Sequence, residues 1–491
     1  MGSVVRSLMP TGLQRPAGLV SHIHRHPVLV LAPVVLLAAA LTTYTLGAKG
    51  IWLDEAISIG HAQRDWSSLW HDIITGSRHM RLYYVLLHPW MRIGESEAAI
   101  RTLSVLFALA TVPVVYGLGS VLFRPRVGAI AAVLLTVNPF FIQYAQEARS
   151  YSLVLLLASL SSYLFVIVIE RPSRRLWALY ALCAVLAIHA HIFAILVVVA
   201  HVVSLVVRRA DYVVWKGMLI SVAPVALIAA APIVGSTMAT GADVVVPWVR
   251  EPSLSRLLWV LRRFAGGSRL LFLGYAMVCS VALVPALKMW VDRRTSRETW
   301  RYAFLALWLL VPIVLVFSFS FLITSVLVPR YLIISFPPLV LLASVGICRV
   351  PGRYWLVVLG VFLALSGRGL YRWYADVEKE DWRGAVNYVT SEATPGDAIM
   401  FYAVGGRPFL YYLNRVHASS DLLVQLPDPD DHLLATLPSQ YDRVWLVLSH
   451  EDRGNRSQRS RSIQISMYRD YVIASDQQFK EVRVLLYERR F

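Results

Sequence analysis

The stretch Pro27–Leu46 reads PVLVLAPVVLLAAALTTYTL, and the chain continues as GAKGIWLDE to Glu55. About 20 apolar residues in a row are enough to cross the hydrocarbon layer of a bilayer as a helix. A signal peptide is the alternative, because Arg15 and Arg25 precede the run. The run is long for a signal peptide, however, and no convincing A-x-A cleavage site follows it. We therefore interpret it as a membrane span that leads into a loop with two adjacent carboxylates.

Apolar runs of this length recur along most of the chain, in which 57% of the residues are hydrophobic and only 16% are charged. This composition is typical of a polytopic membrane protein. We predict a mainly α fold with about 11 transmembrane helices. The division of 175–207 into two spans depends only on a turn at His189 and His191. The predicted spans lie near 27–47, 98–119, 126–144, 150–169, 175–191, 192–207, 216–235, 270–288, 302–323, 331–348 and 354–372.

Positive charge is concentrated in short connections between the spans. The formal net charge of +17 does not indicate a nucleic acid partner, because five alternate connections hold 15 Lys and Arg residues against four acidic ones. Lys and Arg in short loops stay on the cytoplasmic side. We therefore expect residues 1–26 to be cytoplasmic, and the first loop, 48–97, and residues 373–491 to be extracytoplasmic, at the plasma (inner) membrane. The five connections are 123–126, 170–175, 208–216, 288–301 and 349–353.

The two extracytoplasmic segments have patterns of their own. The first loop contains two candidate interfacial helices, 66–75 and 82–93, whose aromatic residues stand beside cations, as is typical of the headgroup level. From residue 373 the charge density rises and the apolar runs shorten. This change predicts a separate soluble α/β domain. Its predicted elements are a helix at 380–389 and strands at 398–403, 443–448 and 481–487.

Asp54 and Glu55 are the strongest local sign of function, because carboxylates at the margin of a membrane are costly unless they are used. An incidental acidic pair in a solvated loop is the alternative interpretation. Other unusual polar residues fall on the same predicted outer face. These are the segment 138–151, which reads NPFFIQYAQEARSY, the pair His189 and His191, and Arg330-Tyr331. Carboxylates, imidazoles and guanidinium groups on one face favour a site for an anionic substrate.

These segments resemble the GT-C superfamily of membrane glycosyltransferases, in the branch of the protein O-mannosyltransferases and lipid A aminoarabinose transferases. The resemblance covers most of the span region. The segments that carry it are Asp54-Glu55, LYYVLLH at 82–88, AIRTLS at 99–104, the Asn-Pro to Ser-Tyr segment at 138–151, 189–193, and Arg330-Tyr331 with Pro337-Pro338. It implies a polyprenyl-phosphate sugar donor, a glycan, lipid or protein acceptor, and Asp54 as the catalytic carboxylate.

Chemistry assigns roles to these residues independently of the resemblance. Displacing a phosphate from an anomeric carbon needs one general base and cations for the leaving group. We predict Asp54 as the base, with Glu55 or Glu147 as the orienting or acceptor-binding partner, and inversion at the sugar. We predict Arg330 as the first phosphate ligand, because guanidinium binds phosphate bidentately. Arg149, Arg81 and Arg101 are the further phosphate candidates.

Each assignment has a structural alternative. Arg330 and Arg101 could instead anchor their spans at the membrane interface, and Arg149 could instead form an ion pair with Glu147. The residues predicted to line the substrate cavity are Trp52, Tyr83, His88, Tyr151, His189, His191 and Tyr331. We favour a hydrogen-bonded histidine pair over a metal site, and we assign no cofactor, although some relatives place a divalent cation between a loop carboxylate and a histidine.

Two other classes of protein compete with an enzyme. A secondary transporter usually shows two similar halves and charges near the centres of its spans; here charges cluster at one set of span ends and a soluble domain follows. The second competing class is a non-catalytic cell-envelope assembly protein. Such a protein should keep its function when Asp54 or Arg330 is replaced.

Overall fold

The computed structural model describes residues 27–75, 80–240, 249, 251–291, 297–402, 406–416, 423–450 and 456–490. The predicted cytoplasmic segment 1–26 lies outside these residues. The helices that precede the C-terminal sheet are α1 Pro27–Thr43, α2 Leu53–Ala62, α3 Trp66–Thr75, α4 Arg81–Trp90, α5 Glu97–Leu122, α6 Pro125–Thr136, α7 Pro139–Ala145, α8 Tyr151–Glu170, α9 Arg174–Ala190, α10 Ile195–Arg208, α11 Tyr212–Thr240, α12 Leu254–Arg263, α13 Arg269–Val291, α14 Arg297–Leu322, α15 Phe336–Arg349 and α16 Tyr354–Ala375. Short 3-10 helices, Ile192–Ala194 and Pro329–Ser335, precede α10 and α15.

The mainly helical, multi-span architecture that the sequence predicts is confirmed. Each predicted span window coincides with a helix, and α9 ends at Ala190, where the two histidines predicted a break. Within the described residues, five helices are long and apolar enough to cross a membrane. The bent pair α6–α7, with an angle of 63°, is a sixth candidate, and four more apolar helices are shorter. The exact number of eleven stays a prediction.

Small residues allow the helices to approach closely. A Cβ added to Gly346 on α15 would lie 1.9 Å from the carbonyl oxygen of Val278 on α13, and one on Gly128 of α6 would lie 2.3 Å from the carbonyl oxygen of Tyr116 on α5. Close backbone approach is how membrane helices gain packing energy, because lipid supplies little hydrophobic driving force between them.

The loops of the two predicted faces make different contacts. Arginines of two predicted inner connections contact the ends of neighbouring predicted spans: Arg124 donates to the Cys348 carbonyl, and Arg349 donates to the Tyr302 hydroxyl at 2.7 Å. The first loop meets the C-terminal domain instead, since the Tyr412 hydroxyl accepts from Ile51 N at 2.7 Å and Arg383 pairs with Glu97 at 2.6 Å. The assignment of the loops to two membrane faces stays a prediction.

The C-terminal region forms a five-stranded sheet with helices against it. Its elements are α17 Trp382–Glu392, β1 Asp397–Tyr402, α18 Arg407–Leu413, β2 Leu423–Gln425, α19 Asp431–Gln440, β3 Arg443–Ser449, α20 Arg456–Met467, β4 Tyr471–Phe479 and β5 Val482–Arg489. The strand order is β2-β1-β3-β5-β4. Strand β1 is parallel to β2 and β3, and β5 is antiparallel to β3 and β4. The three predicted strands correspond to β1, β3 and β5; β2 and β4 were not predicted.

Candidate active site

Asp54 lies between two arginines that are far away in sequence. Its Oδ2 is 3.2 Å from Arg330 Nη1 and 4.0 Å from Arg149 Nη2. The side chains of Asp54 and Arg330 are 17% and 16% exposed, so both reach the surface of the site. One carboxylate is thus enclosed by two guanidinium groups, which is the combination that the sequence predicts for a base beside an anion-binding site.

Local structure brings these three residues together. Asp54 stands in the first turn of α2, where a carboxylate complements the helix dipole. Arg149 precedes α8, and its Nη1 donates to the Asp54 carbonyl at 2.9 Å and to the Ser58 hydroxyl at 3.1 Å. Arg330 is presented by the 3-10 helix that begins at Pro329. Two separate span ends therefore hold cations against the start of one loop helix.

The Asn-Pro sequence explains the bend that delivers Arg149. The Asn138 carboxamide oxygen accepts from Phe140 N at 2.8 Å, and Pro139 occupies the first turn of α7, where its missing N–H costs nothing. The Asn138 amide also donates to the carbonyl of Phe264. The chain thus turns sharply at the end of α6 and reaches the site within one short helix.

Arg101 is buried against Glu55, and this position corrects its predicted role as a phosphate ligand. Glu55 is fully buried, and Arg101 binds both of its carboxylate oxygens at 2.8 and 2.7 Å. Arg101 uses its remaining donors on the carbonyls of Leu46, Lys49 and Gly50. All five guanidinium N–H groups are therefore engaged by the protein, and none is left for a phosphate.

The carboxylate of Glu55 is equally occupied. Its Oε1 also accepts from Ala148 N at 2.9 Å, and its Oε2 accepts from Lys379 Nζ at 3.1 Å. Burial alone would raise the pKa of Glu55, but Arg101 and Lys379 together hold that pKa at about 2, well below its usual range. Glu55 thus stays ionised and joins the first loop, the loop before α8 and the C-terminal linker.

Lys379 was not predicted from the sequence. It lies in the linker after α16, within the charged run Glu378-Lys379-Glu380-Asp381, which reads as a solvated segment. In the structure its side chain is only 9% exposed and its Nζ lies 5.6 Å from the centre of the Trp52 ring. Burial lowers its pKa. No local signal distinguishes this lysine from its charged neighbours, because its burial comes from the domain folding back onto α2.

Glu147 lies in the same buried region. Burial raises the pKa of its carboxyl group, while Lys379 and Arg330 are near enough to oppose that rise. Its Oε2 is buried and has no hydrogen-bond partner among the residues that the structure describes. Glu147 is near enough to Asp54 for their charges to interact, and its role as a partner of the base stays a prediction. Arg149 does not form an ion pair with it.

Aromatic side chains form one wall beside the arginines. The His191 ring lies 6.2 Å from Tyr151 and 5.2 Å from Tyr331. The Trp52 ring centre is 5.8 Å from the guanidinium carbon of Arg330. The structure thus brings four of the predicted cavity residues into the neighbourhood of Asp54.

Other predicted residues lie elsewhere or face inward. Tyr83 is fully buried, and its hydroxyl is hydrogen-bonded to Ser104 at 2.8 Å, so it offers no face to a sugar. His88 Nδ1 lies 2.7 Å from the Ala62 carbonyl, which joins α4 to α2.

Arg81 and His189 are near enough to each other for their charges to interact. Arg81 is buried and its charge interacts with Asp72. The same charge acts on His189, whose Nδ1 has no hydrogen-bond partner among the described residues. Of the two predicted histidines, His191 is the one with ring contacts to Tyr151 and Tyr331 in the aromatic wall.

The described ranges contain no group of three or more His, Cys, Asp or Glu side chains arranged to hold a metal ion. Both oxygens of Glu55 are already bonded to protein groups. The pairing of Glu55 with His189 around a cation, which the resemblance allowed, therefore has no support from the position of Glu55.

The chain is thus a multi-span helical membrane protein with a small C-terminal α/β domain. A carboxylate and two guanidinium groups lie together at the ends of its spans. Residues 82–235 match the family model described as dolichyl-phosphate-mannose-protein mannosyltransferase. No curated protein matches the chain in sequence.

Solved structures share the fold over nearly the whole chain. The crystal structure of ArnT from Cupriavidus metallidurans in the apo state aligns with a TM-score of 0.63 at 13% identity, over 94% of this chain and 98% of that one. ArnT bound to undecaprenyl phosphate aligns with a TM-score of 0.57 at 13% identity, over the same shares of the two chains. The oligosaccharyltransferase of Archaeoglobus fulgidus, in complex with Zn and sulfate, aligns with a TM-score of 0.52 at 10% identity, over 92% and 73%. The family match over residues 82–235 confirms the predicted resemblance, and the solved structures show that this chain shares their fold.

Proposed function

We propose that this protein transfers a glycosyl group from a polyprenyl-phosphate-linked sugar to an acceptor at the extracytoplasmic face of the membrane. One observation carries the proposal: Asp54 lies within 3.2 Å of Arg330 and 4.0 Å of Arg149 at the ends of membrane spans. A base and a pair of permanent cations are the two requirements for displacing a phosphate from an anomeric carbon. ArnT, whose fold this chain shares, has been solved with undecaprenyl phosphate.

The reaction that we propose is a single displacement. The donor phosphate binds Arg330 and Arg149, and in doing so it takes over the ion pairs that Asp54 makes without substrate. Asp54 then accepts the proton of the acceptor hydroxyl while the oxygen of that hydroxyl forms a bond to the anomeric carbon. The bond from that carbon to the phosphate oxygen breaks, and the phosphate leaves with the electron pair. One displacement inverts the configuration of the sugar.

The buried groups position these reacting groups. Arg101 fixes Glu55, and Glu55 fixes Ala148 N, one residue before Arg149. The same carboxylate also accepts from Lys379 in the C-terminal linker. Geometry within a fraction of an ångström matters for such a site. We therefore assign residues 27–372 as the transferase domain and residues 373–491 as an extracytoplasmic domain that also stabilises the active loop.

The orientation follows from charge. Fifteen Lys and Arg residues lie in the connections opposite to Asp54, and such connections stay in the cytoplasm. The site then faces the outer compartment of a plasma membrane. Cysteine labelling of position 54 from outside intact cells measures this side directly.

The experiment that tests the proposal is reconstitution of the full chain in liposomes with a panel of undecaprenyl-phosphate sugars and extracted envelope acceptors. We expect transfer from at least one donor by the wild type and a loss of more than about 100-fold in Asp54→Asn, as removal of a general base predicts. Asp428→Asn, which changes an exposed carboxyl group in the C-terminal domain, is the matched control and should transfer at the wild-type rate. Full activity of Asp54→Asn would assign the base to another residue.

A further inference from the structure

A cavity lies where three membrane helices meet, at the opposite end of α8 from Arg149. Its volume is about 470 Å³. It is lined by the last turns of α5 and α8, by the residue that follows α8, and by the first turns of α14. The chain connections at these helix ends are 123–126, 170–175 and 288–301, all of which the charge pattern predicts to be cytoplasmic. We call this cavity the inner cavity.

The lining of the inner cavity is apolar at one level and charged at the next. Val166 and Ile167 lie about one turn inside Glu170, the last residue of α8. Val121, in the last turn of α5, adds an apolar side chain that is 44% exposed. Glu170 and two arginines supply the charged part of the lining. An apolar region beside a charged one at the ends of membrane spans matches the boundary between the acyl chains and the headgroup of a lipid.

The two arginines of the inner cavity have no partner in the protein. Neither Arg171 nor Arg301 forms a side-chain hydrogen bond or an ion pair with any of the described residues. Arg171 is exposed and Arg301 is half-buried. The carboxylate of Glu170 does not neutralise them, because it is paired with Arg208 at 3.3 Å. The inner cavity therefore has an excess of two positive charges.

Two other arginines near Arg301 are bonded to the protein instead. Arg124 and Arg349 line a smaller cavity that also includes Arg301. The Arg124 guanidinium donates to the Cys348 carbonyl at 3.2 Å, and that of Arg349 donates to the Tyr302 hydroxyl at 2.7 Å. Guanidinium donors away from bulk water usually have acceptors. Two unmatched guanidinium groups around one cavity therefore indicate an acceptor from outside the chain.

We propose that the inner cavity binds the phosphate of an anionic phospholipid from the cytoplasmic leaflet. Guanidinium groups bind phosphate oxygens bidentately and keep their charge. The cytoplasmic leaflet carries anionic lipids, and basic pockets between membrane helices on that side bind their headgroups. The apolar lining favours a lipid over a free phosphate ion, because an acyl chain covers Val121 and Ile167. The inference uses the predicted topology, and it does not depend on the proposed function.

Lipid binding to the full chain in detergent, measured by native mass spectrometry and by thermal unfolding, tests the inference. Dioleoyl phosphatidylglycerol, dioleoyl phosphatidylcholine and inorganic phosphate are titrated separately. The two lipids have the same acyl chains, but choline neutralises the phosphate charge in one of them. We expect phosphatidylglycerol to bind at least about tenfold more tightly than phosphatidylcholine, the effect of one charge-assisted hydrogen bond. At about a hundredfold excess over its Kd, phosphatidylglycerol should raise Tm by about 5 °C, and inorganic phosphate at the same concentration should not.

Variants that change one charge test the location. Arg171→Gln and Arg301→Gln should each weaken phosphatidylglycerol binding by about tenfold. Their affinity for phosphatidylcholine should stay within about twofold of wild type, which shows that they are folded. Arg174→Gln is the matched control, because Arg174 is an exposed arginine of the same predicted connection and lies outside the inner cavity. Glu170→Gln removes the carboxylate of the cavity and should bind phosphatidylglycerol at least as tightly as wild type.

Several results would overturn the lipid site. Equal affinity for the two lipids, or equal protection by inorganic phosphate and phosphatidylglycerol, would remove the case for an anionic lipid. Wild-type affinity of both Arg171→Gln and Arg301→Gln would place the lipid elsewhere. A tenfold loss in Arg174→Gln would show that any charge on this face suffices. Transfer at Asp54 is measured separately in the reconstitution assay, so failure of the lipid site leaves the proposed function standing.

Discussion

Replacing Arg101 by Gln should destabilise the protein, whereas replacing Arg330 by Gln should not. Arg101 is 1% exposed and Glu55 is fully buried, and their two hydrogen bonds measure 2.8 and 2.7 Å. Removing one partner of a buried ion pair costs about 3–5 kcal/mol. Lys379 remains 3.1 Å from Glu55 and offsets part of that cost. The loss of three hydrogen bonds to carbonyl groups adds to it, so we take ~3 kcal/mol as a lower value.

Thermal unfolding in detergent, followed by tryptophan fluorescence, measures this difference. A loss of ~3 kcal/mol lowers Tm by about 6 °C, at roughly 2 °C per kcal/mol for a large domain. Arg330 is partly exposed and its pair with Asp54 is worth about 1 kcal/mol or less, so Arg330→Gln should change Tm by no more than about 2 °C and should abolish transfer. A thermally normal Arg101→Gln would refute the structural role of this pair, as would a strongly destabilised Arg330→Gln.

Three further predictions concern the linker, acid stability and helix packing. Lys379→Met should slow transfer in the liposome assay by roughly tenfold, the value of one charge-assisted hydrogen bond. Because Glu55 keeps its pair with Arg101 in this variant, Tm should fall less than in Arg101→Gln. An equal fall in Tm would contradict this prediction. Glu55 has a pKa of about 2 in the folded protein against an ordinary 4.5. Between these two pH values the carboxylate takes up a proton in the unfolded chain but not in the folded protein. The stability of the wild type should therefore fall as pH falls from about 4.5 to 2. In Glu55→Gln the Tm should change less over that range, and parallel curves would refute the assignment. Gly346→Leu should lower Tm and yield, because its Cβ would lie 1.9 Å from the Val278 carbonyl, whereas Gly360→Ala, with nothing within 4 Å, should behave as wild type.

The helices and the principal site residues were predictable because their signals are local. Apolar runs of bilayer length predict helices without knowledge of their neighbours. Asp54, Arg149 and Arg330 were recognisable because charges next to apolar runs are costly and therefore stand out. The charge pattern of the loops also assigned all three to one face, and the structure does bring them together.

The roles of buried charges were not predictable, because they depend on contacts between distant segments. Arg101 and Arg330 look alike in sequence, each at the end of an apolar run, and only the fold shows that Arg101 uses all its donors internally. Lys379 is one of several charges in a polar linker, and its burial comes from the packing of the C-terminal domain on α2. Strands β2 and β4 were missed for a related reason: β2 has only three residues and β4 is mostly exposed.

The proposed mechanism requires Asp54 to act on the acceptor while Arg330 binds the donor phosphate. Parallel measurement of undecaprenyl phosphate affinity and single-turnover transfer in Asp54→Asn and Arg330→Gln tests it most directly. We predict that Asp54→Asn binds the lipid at least as tightly as wild type but transfers more than about 100-fold more slowly. Arg330→Gln should lose lipid affinity by about tenfold or more. Rapid transfer by Asp54→Asn, or unchanged lipid affinity in Arg330→Gln, would contradict the account.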